Sequence, residues 1–456
     1  MNAPSAQAVA EVLADKAVRL RPETVPAAVR ERAEQLLIDV VGLCVAARGT
    51  DYMKSLVAAA DAGGGCTAIG HAATYGAGTA ALINGTATHG EDFDDTFEGG
   101  PVHASAVVIP AVLAACERFG RDGRAALAGI VAGVEATCRL SMVIPKAIHK
   151  AGFHPTSVLG TIGAALAAAR AMGLDCRQTV DALGIAGSMA GGIIEYLAEG
   201  AWTKRMHPGW AAQAGITAAR LGQCGFLGPR TVLEGSHGLF HGFARSVAGD
   251  YRILTDGFGE QWFMDAITFK PYATGTMNQP YVDCALRLRA RGVRADEVKE
   301  ILCETAEGYV HRLWEPLVSK QRPANAYAAK FSTPFNIAVA LITGGAGLAA
   351  FTEATAKDER VLALASRVRY VVDPNNPYPK AFTGHIRATL QDGRVLEERQ
   401  PHIRGGAHEP LSRAEIEAKF HGNCEHGGWP KEQARRFLEC VPKIFAGPLD
   451  LSLLRG

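Results

Sequence analysis

The chain has 456 residues, of which 48% are hydrophobic and 20% charged, and this length is typical of two or three domains. Its 47 basic and 46 acidic side chains nearly cancel, so no surplus of positive charge favours binding to nucleic acid or to a membrane surface. The apolar runs near 104–116 and 182–194 are shorter than the roughly 18 residues of a membrane-spanning helix. The N-terminal stretch lacks the uninterrupted apolar core of a signal peptide, so we expect a cytoplasmic globular protein without nucleic-acid or membrane partners.

Helical periodicity dominates the first 265 residues. Alanine and glycine are frequent on the apolar faces, which lets helix axes approach closely and favours a compact bundle. The segments that predict helices are 25–49, Pro110–Gly120, Thr156–Met172 with Gly173 as its cap, and Pro208–Leu221. The helical pattern returns near the C-terminus. We therefore predict a helical domain over residues 1–265 that residues 401–456 complete.

The pattern changes after about residue 266, where short alternating segments predict strands. Strands are predicted at Val298–Thr305 and Val368–Val372, and a hairpin at His385–Glu398 turns at Asp392-Gly393. A helix is predicted around Ala328–Thr343. Residues 266–400 therefore read as an α+β domain inserted before the C-terminal helices, in a chain whose fold class is mainly α.

The segment HGEDFDDTFEGGPVHAS, from His89 to Ser105, places four carboxylates within five residues between two histidines. Mutual repulsion makes such a cluster costly in a folded protein unless proton transfer or cation binding requires it. Three interpretations remain open: an acid–base site, a divalent-metal site made by carboxylates and imidazoles, and a cap for the helix predicted at Pro110.

Four further clusters carry side chains suited to chemistry. GFHPT and TKRMHPGW place histidines and cations at predicted helix starts, where backbone amides favour anions; FKPY carries a lysine, and EGYVHR follows a predicted strand. The ten cysteines lack metal-ligand spacing, and no GxGxxG, Walker or GxSxG motif occurs. The interpretation that survives is acid–base chemistry on a small polycarboxylate, without a cofactor or a metal.

At these residues the sequence resembles the MmgE/PrpD family, which includes 2-methylcitrate dehydratase, cis-aconitate decarboxylase and iminodisuccinate epimerase. Five motifs in order carry the resemblance over nearly the whole chain: NGTATHGEDFDDT with the downstream His103, GFHPTSVLGTIGAA, KRMHPGWAAQAG, FKPY and KFSTPFNIAVAL. The resemblance implies a large all-helical domain with a smaller α+β lid domain, usually assembled as a homodimer.

The resemblance also places the family's pocket residues on this chain. It implies that a histidine exchanges protons with the substrate carbon while lysines bind carboxylates. The predicted catalytic residues are His103, His154, Asp92 and Tyr309, and the predicted substrate-binding residues are Thr96, Lys204 and Lys270. His207 is added as a substrate-binding residue from the TKRMHPGW cluster itself.

Two departures from the family pattern bear on the substrate. His103-Ala104-Ser105 stands where many members have HPS, and Gln279 stands near the position of a histidine that follows FKPY in many members. The leading expectation is a 2-methylcitrate dehydratase-like lyase that removes a proton α to a carboxylate. The alternatives are an epimerase of an iminodisuccinate-like dicarboxylate and a cis-aconitate-type decarboxylase. All three need an enolate-like intermediate held by cations.

Overall fold

Two units make up the structure, a computed structural model that describes residues 7–456. The larger unit comprises the described residues up to Ile267 together with Arg413–Gly456, and the smaller unit comprises Thr268–Ser412. Both contain their own buried apolar side chains.

The larger unit is built mainly from helices. They are α1 (Val9–Arg19), α2 (Ala27–Ala47), α3 (Asp51–Ala58), α4 (Ala77–His89), α5 (Ser105–Phe119), α6 (Gly123–Val143), α7 (Ala147–Lys150), α8 (Pro155–Met172), α9 (Cys176–Met189), α10 (Tyr196–Glu199), α11 (Thr203–Gln223), α12 (Leu239–Ala244) and α13 (Arg252–Thr255). Its strands are short: β1 (Ala62–Thr67) pairs antiparallel with β2 (Thr74–Tyr75), and β3 (Thr96–Phe97) lies between α4 and α5. The β1–β2 pair is not predicted from the sequence, because β1 is rich in glycine.

Helices α5, α6 and α8 form the centre of this unit. A Cβ atom on Gly133 of α6 would lie 2.9 Å from the Val108 side chain and 3.0 Å from the Gly163 carbonyl oxygen, so only glycine allows this approach. By length and composition α6 could cross a membrane, but 94% of its apolar stretch is buried in the structure. Such burial is what a central helix of a packed bundle has.

Helices α4 and α11 approach each other at a pair of glycines. A Cβ atom on Gly85 would lie 2.6 Å from the Cα atom of Gly209, and one on Gly209 would lie 2.6 Å from the Thr86 hydroxyl oxygen. Gly85 precedes His89 by about one helical turn, and Gly209 follows His207 by two residues. The close approach therefore carries these two histidines into the same region.

The predicted starts of two helices are wrong. Pro110 and Pro208 lie inside α5 and α11, which begin at Ser105 and Thr203. Proline was taken as the first helical residue, where its missing N–H costs nothing, but the helices continue through both prolines. The predicted helix Thr156–Met172 is confirmed as α8, and Gly173 closes it in the left-handed conformation.

The smaller unit is an α+β structure. Its strands are β5 (Val298–Thr305), β6 (Val368–Val372), β7 (Gly384–Leu390) and β8 (Val395–Gln400), after β4 (Ile267–Thr268) at the boundary between the units. The sheet order is β6-β5-β7-β8, with β5 and β6 parallel and the other neighbours antiparallel. Both strand predictions and the hairpin are confirmed.

The smaller unit also contains seven α-helices, which precede, separate or follow its strands along the chain. They are α14 (Gln279–Ala290), α15 (Glu307–Tyr309), α16 (Leu317–Gln321), α17 (Ala326–Ala329), α18 (Thr333–Thr343), α19 (Glu353–Ala356) and α20 (Glu359–Ala365). The helix predicted around Ala328–Thr343 is wrong in its first turn. Ser332 caps a new helix by accepting a hydrogen bond from the Phe335 amide at 3.1 Å, so α17 and α18 are separate. The chain then returns to the larger unit in α21 (Arg413–His426) and α22 (Lys431–Ile444).

Candidate active site

The three aspartates between α4 and α5 each contact a different kind of group. Asp92 adopts a left-handed φ of 54° and accepts a hydrogen bond from the Lys204 Nζ atom at 2.5 Å. An Asp94 oxygen lies 2.6 Å from the Nδ1 atom of His89. Asp95 binds the start of α5. The repulsion that the sequence predicts is therefore relieved by a cation, an imidazole and backbone amides in turn.

Asp95 is a buried helix cap. Its carboxylate accepts hydrogen bonds from the amides of Ala104 and Ser105 at 3.1 and 3.2 Å and from the Ser105 hydroxyl. Burial, followed by repulsion from Asp94, raises the pKa of Asp95 to about 7. The capping interpretation thus holds for Asp95, although the helix begins at Ser105 rather than at Pro110.

His103 has a defined proton arrangement. Its Nδ1 atom lies 2.5 Å from the carbonyl oxygen of Asp95, and because a carbonyl oxygen only accepts, the proton belongs to Nδ1. The Nε2 atom is then the basic nitrogen of the neutral ring. An Asp94 oxygen lies 3.5 Å from the same Nδ1 atom, so a negative charge stands beside the ring when it becomes an imidazolium.

His154 and His207 form a second pair of imidazoles. His154 stands immediately before α8, as predicted, and donates its backbone amide to the Gly192 carbonyl at 2.8 Å. Its Nδ1 atom lies 3.1 Å from the Nδ1 atom of His207, so one nitrogen donates while the other accepts. Burial, followed by His89, lowers the pKa of His154 well below its ordinary value and that of His207 to about 4. Both rings are therefore neutral near pH 7.

Two cations lie at the start of α11. Lys204 is 13% exposed and pairs with Asp92, while Arg205 lies 3.5 Å from the Glu91 carboxylate and over the Tyr52 ring at 4.4 Å. Both residues fall within the first turn of the helix rather than ahead of it, because α11 begins at Thr203. Thr96, on β3, is buried at 8% exposure in the same unit.

One group of side chains among residues 7–456 has donor atoms close enough together to bind a metal ion. Donor atoms of His89, Asp94 and His103 all lie within 4.8 Å of one another. The 2.6 Å separation between His89 Nδ1 and Asp94 Oδ2 is a hydrogen-bond distance.

The remaining predicted site residues lie in the smaller unit. Lys270 is 1% exposed, and Tyr309 is fully buried directly after β5, with its ring 4.7 Å from that of Tyr378. Burial raises the pKa of Tyr309. The structure thus brings Asp92, Lys204, His103, His154 and His207 together in the larger unit. Thr96 lies in the same unit, and Lys270 and Tyr309 lie in the smaller one.

Gln279, which stands near the position where the family resemblance leads us to expect a histidine, contacts only backbone groups. Its Nε2 atom donates to the carbonyl oxygens of Tyr272 and Thr274 at 3.0 and 2.9 Å, and its Oε1 atom accepts from the Tyr272 amide at 3.2 Å. Every one of these partners is backbone. Gln279 therefore holds the turn that follows Lys270.

Two further aromatic residues, His89 and Tyr196, lie beside the predicted histidines and were not predicted as site residues from the sequence. His89 was considered only as a metal ligand, although its ring centroid lies 4.7 Å from that of His103 and 5.6 Å from that of His154. Tyr196 lies 6.2 Å from His154 and 5.8 Å from His207 by the same measure. A histidine on each side of the acidic segment is the signal that could have identified His89; the sequence around Tyr196 offers none.

Buried imidazoles in mutual contact, with a lysine–carboxylate pair beside them, define an enzyme with an acid–base site. Models of the MmgE/PrpD N-terminal and C-terminal domains match residues 11–250 and 272–442. The chain belongs to the MmgE/PrpD family.

Curated relatives carry one activity in their names. The cis-aconitate decarboxylase of Homo sapiens is 30% identical over 360 residues, which cover 75% of this chain and 72% of the relative. The cis-aconitate decarboxylase-like protein oryM of Aspergillus oryzae is 25% identical over 421 residues, covering 87% and 86%. The cis-aconitate decarboxylase of Aspergillus terreus is 26% identical over 359 residues, covering 74% and 72%.

Proposed function

We propose that this enzyme is a carboxy-lyase that removes carbon dioxide from a small unsaturated tricarboxylate of the cis-aconitate class. The observation that carries the proposal is the buried histidine cluster beside Lys204, in a chain whose relatives are named cis-aconitate decarboxylases. These relatives favour the decarboxylase alternative over the dehydratase that was the leading expectation.

The proposed reaction breaks the bond between a carboxylate and its carbon. The electron pair of that bond stays on the substrate as an allylic carbanion, carbon dioxide leaves, and a protonated imidazole delivers a proton to carbon. Atoms and charges balance without an oxidant or a second substrate. The role we assign to Lys204 is binding of a carboxylate that remains, because an ammonium group stabilises the developing negative charge.

His103 is the proton donor in this proposal. The proton that it delivers resides on Nε2, since Nδ1–H is occupied by the Asp95 carbonyl oxygen, and the nearby Asp94 carboxylate stabilises the imidazolium form. His154 and His207 are poor acids near pH 7 because their pKa values are depressed. We assign these neutral rings, and Asp92 through Lys204, to substrate binding and orientation.

The reaction class is tested by incubating the purified enzyme with cis-aconitate in D₂O and following proton NMR. The expected result is carbon dioxide release together with an unsaturated dicarboxylate that carries one solvent-derived deuterium. His103→Asn should lower kcat by about 100-fold or more, since general acid catalysis contributes on the order of 10²–10⁴ in rate. His241→Asn, an exposed histidine on α12, is the matched control and should keep the wild-type rate.

A panel of substrates separates the competing reactions. Water loss from a hydroxy-tricarboxylate, or α-deuterium exchange in an iminodicarboxylate, without any carbon dioxide from cis-aconitate would replace the proposal by the dehydratase or the epimerase. Full activity of His103→Asn would remove His103 from the role of proton donor.

A further inference from the structure

His89 is the last residue of α4 and is buried completely, as is its partner Asp94. An Asp94 oxygen lies 2.6 Å from His89 Nδ1, which fixes the orientation of the ring. The His89 Nε2 atom is also buried and has no hydrogen-bond partner among residues 7–456. An imidazole held on one side and left unsatisfied on the other costs free energy, so a structural role alone accounts poorly for it.

The position of His89 relates it to both halves of the candidate site. Its ring lies 4.7 Å from the His103 ring at an interplanar angle of 61°, and 5.6 Å from the His154 ring at 32°. The same Asp94 oxygen that binds His89 lies 3.5 Å from His103 Nδ1. The Asp94 carboxylate thus lies near both His89 and His103, and the His89 ring lies near both His103 and His154.

We propose that His89 and Asp94 act as a dyad of positioning residues, which fixes the orientation of His103 and holds an imidazole ring beside His154. This role deepens the proposed decarboxylase and rests on it for the reaction that the histidines perform. The dyad acts through the neighbouring rings, in the way that a buried carboxylate orients a catalytic imidazole in a hydrolase triad.

The charged and titratable groups around the cluster support this role. Five groups face the His154 ring. They are His89 of α4, His103 of the loop before α5, Tyr196 of α10, and Lys204 and His207 of α11. After burial, the electrostatic interaction with His89 is the next largest cause that lowers the pKa of both His154 and His207. Geometry and charge therefore point to the same dyad.

The first test replaces His89 by asparagine, whose amide nitrogen can still donate to Asp94. We expect kcat on cis-aconitate to fall about 10- to 100-fold with KM changed less than about threefold, since the substrate carboxylates are bound elsewhere. Without His89, the pKa of His207 should rise above its depressed value, and the acidic limb of the kcat/KM profile should move to higher pH. His241→Asn is the control and should leave both unchanged.

A readout that needs no substrate separates this inference from the proposed function. Proton–nitrogen correlations of the labelled imidazoles report the tautomer of His103 and the pKa of His207 in the free enzyme. Both should change in His89→Asn. If wild-type protein fails to decarboxylate cis-aconitate, the proposed reaction falls, and the NMR comparison still decides the positioning role.

Asp94→Asn provides a second variant in case the first fails to fold. The losses in kcat for Asp94→Asn and His89→Asn should not add in the double variant, because the two residues act as one unit. Additive losses would overturn the dyad. Wild-type kcat in His89→Asn, or a lower kcat with unchanged imidazole signals, would likewise overturn it, the latter by leaving His89 a structural role only.

Discussion

Two buried polar regions of this enzyme differ in what their polar atoms contact. In the smaller unit, Gln279 satisfies three backbone groups of the turn after Lys270, and Asn278 likewise donates to the Lys330 carbonyl at 3.0 Å. In the larger unit, the histidines contact carboxylates and one another. Backbone partners cannot change protonation state, whereas imidazoles and carboxylates can. The first arrangement fixes a shape and the second can hold and move a proton.

Buried carboxylates of the acidic segment serve two different purposes. Asp95 is committed to the amides of α5, so its carboxylate serves the fold although it belongs to the acidic segment. Asp92 and Asp94 contact Lys204 and His89, which places them with the chemistry. Three carboxylates that are equivalent in the sequence therefore have three different partners.

The largest effect on activity and stability is expected from Lys204→Met in the larger unit. Loss of the ammonium group leaves the Asp92 carboxylate buried without its cation and removes the proposed contact to a substrate carboxylate. We expect kcat/KM to fall by about 100-fold and the folded state to lose about 2–5 kcal/mol, the cost of breaking a buried ion pair. Steady-state kinetics and thermal unfolding measure the two effects.

The double variant Asp92→Asn/Lys204→Met distinguishes fold from chemistry. Removing the stranded charge should recover most of the lost stability while kcat/KM stays low. Recovery of both together would mean that Lys204 serves the structure and does not bind substrate.

A smaller, purely structural effect is expected from Gln279→Ala. The variant leaves two carbonyl oxygens and one amide of the buried turn without their partner, at a cost of about 1–3 kcal/mol. Urea unfolding should show this loss, whereas Gln391→Ala, an exposed glutamine of the same unit, should change stability by less than about 0.5 kcal/mol. Equal stability of the two variants would contradict the structural role of Gln279.

The smallest effect concerns the pH dependence of stability through Asp95. Its pKa is raised to about 7, so between the unfolded value near 4 and pH 7 the folded state binds more protons than the unfolded state. The contribution of Asp95 is therefore full below about pH 4 and is lost as the pH rises through about 7. Asp95→Asn should remove this loss, so thermal unfolding at pH 5 and pH 8 should differ less than in the wild type. An unchanged difference would argue against the raised pKa.

The sequence predicted those elements whose signal is local. The strands Val298–Thr305 and Val368–Val372 follow from alternation of apolar residues, and α8 follows from its period and from Gly173. Helix starts at Pro110 and Pro208 were wrong because proline is compatible with a helix interior when packing supports it. The residue types of an acid–base site were also predicted from the sequence, since His103, His154 and Lys204 stand in distinctive motifs.

Only the tertiary structure decided which carboxylate serves which purpose. The Asp92–Lys204 pair joins residues 112 positions apart, and the His154–His207 pair joins residues 53 apart. Glycine contacts bring α4 close to α11, His89 lies beside the rings of His103 and His154, and no pattern along the chain encodes these distances. Sequence determines the chemistry available to this enzyme, whereas protonation depends on burial and on neighbours that are remote in the chain, and these exist only once the helices have packed.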